Sequence, residues 1–159
     1  MRADDLPLWE RTLIATYPWR RVRPIPVARP GKPVTESRVA LVTTAGLVPP
    51  MATPFDLSRL GGDTTFRVIS RDVRASELEV HHRSEAFDRS ALALDLNVAF
   101  PLFVLDGLAL SGDIGEVAPR HLSFMGSITA PARLRKESAP AAADLLVDDG
   151  VDVALLAPV

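Results

Sequence analysis

Three histidines carry most of the acid–base capacity this chain has near neutrality, and two of them are adjacent. His81 and His82 close the run Glu77-Leu78-Glu79-Val80-His81-His82. On a strand, neighbouring side chains point to opposite faces. His82 then follows Leu78 and Val80 inward, and His81 faces outward beside Glu79. That geometry makes the two poor co-ligands for a metal ion. Imidazole titrates close to neutral pH, so His82 is the candidate catalytic residue, as a general acid or base. His121 reads as a hydrogen-bonded structural histidine. His82, His121 and Asp95 together could hold a divalent ion, but no short ligand spacing supports one, and no metal site is expected. There is no cysteine, so these residues offer no thiol nucleophile and no disulfide framework.

Candidate substrate-binding residues fall in two places. Thr43, Thr44 and Gly46 follow the apolar run from Arg38. Hydroxyls and bare backbone at a strand's carboxyl end can reach a small ligand. Asp63 and Arg67 follow the turn Gly61-Gly62. The Arg67 guanidinium could grip a substrate carboxylate through two parallel bonds, or Asp63 and Arg67 could pair with each other. Asp95 and Asn97 read as helix caps, with a catalytic pair as the alternative. Gly112-Asp113-Ile114-Gly115 closes a helix and does not open one after a strand, which argues against nucleotide binding.

The elements that must position these groups read as α/β. Arg38 to Thr44 is a near-continuous apolar run, as suits a strand covered on both faces. Phe66 to Ser70 and Glu77 to His82 read as shorter strands, and Leu122 to Met125 as another. Asn97 can cap a buried helix from Val98 to Leu110 that stops at Gly112. Ser138 caps a second helix through Asp148, Gly150 closes it, and the strand Val151 to Val159 follows. A helix leading directly into a buried strand is half of a parallel crossover. The fold class is therefore a doubly wound, mostly parallel sheet of the Rossmann or flavodoxin kind, incomplete at its C-terminus.

Residues 1–37 form a separate N-terminal helix and arm before the α/β domain at 38–159. Asp4 or Asp5 can cap a helix whose Trp9, Leu13, Ile14 and Tyr17 share a face that packs on the domain. From Pro18 to Pro33 there are five prolines interleaved with Arg20, Arg21, Arg23, Arg29 and Lys32. That composition cannot make regular structure. A net charge of −2 gives no general pull toward nucleic acid or membrane. No signal peptide is evident, and the greasiest stretch, Ala91 to Gly112, is broken by Asp95, Asn97, Pro101 and Asp106. A soluble, cytoplasmic protein is expected.

Several segments occur in a telling order: Val39-Ala-Leu-Val-Thr-Thr-Ala-Gly46, Pro54-Phe55-Asp56, Gly62-Asp63-Thr64-Thr65-Phe66-Arg67, His81-His82, Asp95-Leu96-Asn97 with Phe100-Pro101, Ser111-Gly112-Asp113-Ile114-Gly115, and Ser123-Phe124-Met125-Gly126. In this order the chain resembles the selenoprotein B family of glycine, sarcosine, betaine and D-proline reductases, above all its short D-proline-reductase-like members. The resemblance implies reductive C–N cleavage of a small amino-acid-like substrate. It also implies a selenocysteine or cysteine in the complete protein, a partner subunit carrying a pyruvoyl group, and a thiol electron donor such as a thioredoxin. The reactive residue would lie just beyond a strand similar to Val151–Val159, so the sequence reads as a form lacking it, inactive alone. A UGA or cysteine codon would then follow Val159. The open face of that last strand, with Val151, Val153, Leu155 or Leu156, would favour a homo-oligomer. The alternative from another class is a noncatalytic α/β domain that binds a small ligand or a partner.

Overall fold

The structure is a computed structural model that describes residues 7–16, 23–25, 27–84, 87 and 89–159. In chain order it comprises α1 (Leu8–Thr16), β1 (Arg38–Thr43), β2 (Leu47–Val48), β3 (Phe66–Ser70), β4 (Glu79–Val80), α2 (Arg89–Leu94), α3 (Leu102–Ser111), β5 (Glu116–Val117), β6 (Arg120–Phe124), α4 (Ala139–Asp148) and β7 (Val153–Ala157). β1 is the centre of the main sheet. It pairs in parallel with β7 from Val39↔Val153 to Thr43↔Ala157. Along its other edge β5 and then β6 follow one another, also parallel, at Arg38↔Glu116 and Thr43↔Ser123. β3 closes that side antiparallel to β6.

Alternation along β1 builds a core on each face of the sheet. Val39 and Leu41 pack with Ile69, Phe100 and Leu105, so α3 covers one face. Ala40 packs with Leu122, Phe124, Ala142 and Leu146, so α4 covers the other. The result is the expected α/β layering with a mostly parallel sheet. The β5–β6 strand breaks at Ala118-Pro119, and proline has no N–H to give a ladder. Across this break the Leu41 N–H donates to the ring nitrogen Nδ1 of His121 at 3.0 Å. A buried side chain thus completes a backbone ladder.

Three sequence expectations are corrected in detail. The strand over Glu77–His82 shrinks to Glu79–Val80, paired antiparallel with Leu47–Val48, because a 3₁₀ turn occupies Ala75–Glu77. The buried helix starts at Leu102 and not at Val98. Asp95 caps a short 3₁₀ turn at Leu96–Val98 by accepting from Asn97 N, and Pro101, without an N–H, stands at the helix start. Ser138 is no cap. Its backbone is already helical, since a π-helical turn over Leu134–Ser138 runs straight into α4.

Elsewhere, Gly112 stops α3 in the left-handed conformation, φ 80°. On β7, Leu155 and Leu156 stand exposed. On α1, Leu8 and Trp9 are exposed instead of packed; Asp4, Asp5, Tyr17 and the side chains of Leu13 and Ile14 lie outside the described residues. No helix among the described residues is long and apolar enough to cross a membrane.

Candidate functional site

Because β1, β6 and β7 run parallel, their carboxyl ends share one edge of the sheet. Thr44 ties two of those ends together: Val159 N donates to Thr44 Oγ1 at 3.0 Å, and that hydroxyl donates to Val159 O at 3.2 Å. Thr43 is buried, and its hydroxyl accepts from Ala45 N at 3.2 Å. The chain then turns through Gly46 (φ 68°). Gly46 N donates to Phe124 O, and Gly46 O accepts from His81 N, both at 2.8 Å. A Cβ at Gly46 would collide with the His81 carbonyl, so glycine is required for this approach. β6 ends in a second such turn at Gly126 (φ 70°) and Ser127 (φ 46°). A Cβ on Gly126 would sit 2.7 Å from Thr44 O and 2.9 Å from His82 Nε2.

These two turns deliver His82 to the strand ends. Its side chain faces inward, 3% exposed, with the ring 4.2 Å from that of Phe87. Ser84 N donates to Nδ1 at 3.1 Å. Nε2 is buried without a hydrogen-bond partner among the described residues. Burial, helped by the nearby Arg89 cation, holds the His82 pKa below the ordinary histidine value. The ring is therefore neutral at pH 7. With Nδ1 accepting, its proton belongs on Nε2. His82 also lines a cavity of about 530 Å³ together with Phe87, Leu92, Val98, Ser127 and Val159 among others, while Nε2 itself is buried against Gly126. Among the described residues the walls are largely apolar, and His82 is the one titrating side chain that lines them.

The other expected residues lie elsewhere. Asp63 and Arg67 do not line this cavity. The Arg67 fork donates to the Thr53 carbonyl, to Pro54 O at 2.9 Å and to Thr65 Oγ1 at 2.8 Å. It stacks 4.1 Å above the Phe55 ring and stands 3.8 Å from Asp63. Asp63 accepts from Asp56 N at 3.0 Å and from Thr65 N at 2.9 Å. Burial works to raise its pKa, but these hydrogen bonds and Arg67 outweigh it and hold the carboxylate below its usual range. Both groups are engaged within their own loop.

His81 points out, its Nε2 3.0 Å from Glu79. His121 is fully buried, and burial pushes its pKa down to about 4. Among the described residues no three acidic or histidine side chains gather as a metal ion would require. Phe87, Leu92, Val98 and Ser127 were not singled out in the sequence. The one local signal for them was Gly126-Ser127, directly after a core strand.

A family model described as glycine/sarcosine/betaine reductase selenoprotein B matches residues 8–158. The D-proline reductase subunit gamma of Acetoanaerobium sticklandii is 34% identical over 136 residues, covering 85% of this chain and 54% of the relative. The chain thus spans about half the length of that curated relative. No solved structure matches it.

Proposed function

The chain belongs to the glycine/sarcosine/betaine reductase selenoprotein B family, and on that premise we propose that it forms part of a reductase subunit that cleaves a C–N bond in a small amino-acid-like substrate. Such a cleavage consumes two electrons and two protons, the electrons coming from a thiol donor that leaves as a disulfide. None of the 159 residues is cysteine. The selenocysteine or cysteine that supplies the redox chemistry when present is therefore assigned outside these residues, and the pyruvoyl group to a partner subunit. A cytoplasmic setting, where thiols stay reduced, suits this reading.

The observation that carries it is the His82 Nε2–H, without a hydrogen-bond partner among the described residues, at the joined carboxyl ends of β1, β6 and β7. A buried donor without a partner, beside backbone kept bare at Gly126, fits an anionic or lone-pair ligand atom. In this reading His82, as the neutral ring, donates a hydrogen bond to the reacting substrate. Its neutral form is the one able to serve as a donor through Nε2 alone while Ser84 holds the ring. Thr43, Thr44 and Gly46 hold the strand ends in place beneath it, while Asp63 and Arg67 brace the neighbouring loop.

The test uses the gene-encoded protein containing this chain, purified with its partner subunit and supplied with a dithiol. D-proline, glycine, sarcosine and betaine are offered in turn. His82→Asn keeps an acceptor for Ser84 N and removes the Nε2 donor. It is expected to lower kcat by about 100-fold with a much smaller change in KM. Substrate binding with no turnover by the wild-type complex would turn the reading to a noncatalytic ligand-binding domain.

A further inference from the structure

The outer face of α3 has no role in the site. Of the ten residues of α3 only Asp106 and Ser111 are polar, and a helix apolar on every side is ordinarily buried on every side. Here Leu105 alone is fully buried, with Leu102, Leu108 and Ala109 packed partly against the core. Phe103 and Leu110, by contrast, are 80% and 90% exposed, and Val104 is half exposed. Between Phe103 and Leu110 lies Gly107, where an added Cβ would meet nothing within 4 Å. Residues spaced by three and four share a helix face, so Phe103, Gly107 and Leu110 form one stripe with a notch at its middle.

We propose that this stripe is a self-association surface, through which two copies of the chain pack α3 against α3 antiparallel about a two-fold axis at Gly107. The stripe is complementary to itself. Phe103 and Leu110 stand four residues before and three after Gly107, so an antiparallel copy sets each Phe103 against the other copy's Leu110. The two glycines let the helices approach closely. This is the same-patch geometry that a two-fold dimer requires.

Charge and area agree with it. Arg71 neutralises Asp106 at 2.8 Å on the flank of the helix, so two copies meet without like-charge repulsion. Phe103, Val104 and Leu110 together present on the order of 400 Å² of largely apolar surface per copy, the scale of a weak, concentration-dependent contact. The proposal does not depend on the reductase reading.

The test is sedimentation equilibrium of the 159-residue chain from micromolar to near-millimolar concentration. A dimer is expected. Gly107→Gln favours the isolated helix and fills the notch, so it should leave the thermal midpoint unchanged or higher while weakening the dimer at least about tenfold. The chain has no cysteine, so Gly107→Cys introduces a single thiol. On oxidation it should trap a disulfide-linked dimer, because the two positions meet at the axis within bridging distance. Leu156→Cys on β7 should remain uncrosslinked. A strictly monomeric chain, or a dimer abolished by Leu156→Gln and untouched by Gly107→Gln, overturns the proposal. Should Gly107→Gln fail to fold, absence of the Gly107→Cys crosslink overturns it alone.

Discussion

His121 makes the stability of this fold depend on pH in a calculable way. Its ring is fully buried, its Nδ1 accepts the Leu41 N–H that the broken β5–β6 strand leaves without a carbonyl, and Phe100 closes over it edge-on at 5.6 Å. Protonation would charge a buried ring and remove the only acceptor that Leu41 N–H has there. Burial accordingly pushes the pKa from 6.5 down to about 4. Between those two values the unfolded chain binds a proton that the folded chain refuses. The contribution is therefore complete above the unfolded value and drains away as pH falls through the window toward the folded one. Its full size is about 3 kcal/mol, of which about 2 kcal/mol is lost by pH 5.

Urea unfolding followed by circular dichroism between pH 7.5 and 5 reads this directly when wild type is compared with His121→Asn. The Asn oxygen sits near the former Nδ1 and accepts from Leu41 N, but does not titrate. The variant starts less stable because it packs less well. Its stability should nevertheless fall by about 2 kcal/mol less than that of wild type across the interval. Parallel profiles, differing in slope by less than about 0.5 kcal/mol overall, would refute the argument.

Two further substitutions probe the scaffold around the site. Gly126→Ala places a methyl 2.7 Å from Thr44 O at φ 70°; it should destabilise by about 1–3 kcal/mol and shift the His82 ring resonances in an NMR spectrum, whereas unchanged resonances would deny the contact. Asp63→Asn weakens the bonds that join Asp56 N and Thr65 N and should cost about 1–3 kcal/mol at pH 7. Because the folded Asp63 pKa is depressed, that difference should vanish as pH drops below the folded value, which denaturation at acid pH measures.

Local pattern was enough wherever an element's own residues decide its state. The apolar run of β1, the short strand β3, Gly112 after α3 and Gly150 before β7 were all legible, since local residue pattern and positive-φ glycines act over a few residues. Reading failed where a distant partner decides. β4 exists only across from Leu47–Val48, so its length is that of its partner and not of its own alternation. Ser138 looked like a cap because nothing local shows that residues 134–138 are already wound.

The same division runs through the site. That Thr44 and Gly46 follow the carboxyl end of a core strand and that His82 faces inward follows from residue type and order alone, as does the absence of any thiol among these residues. That the Arg67 fork is spent on the Thr53 and Pro54 carbonyls, that His121 repairs a ladder and that Ser127 and Phe87 wall the His82 cavity are matters only the tertiary structure decided. The reason is physical. A sequence states which face of an element is apolar and which groups can donate, accept or titrate, but donors and acceptors are satisfied by whichever partners the packed chain brings within about 3 Å, and those partners lie dozens of residues away.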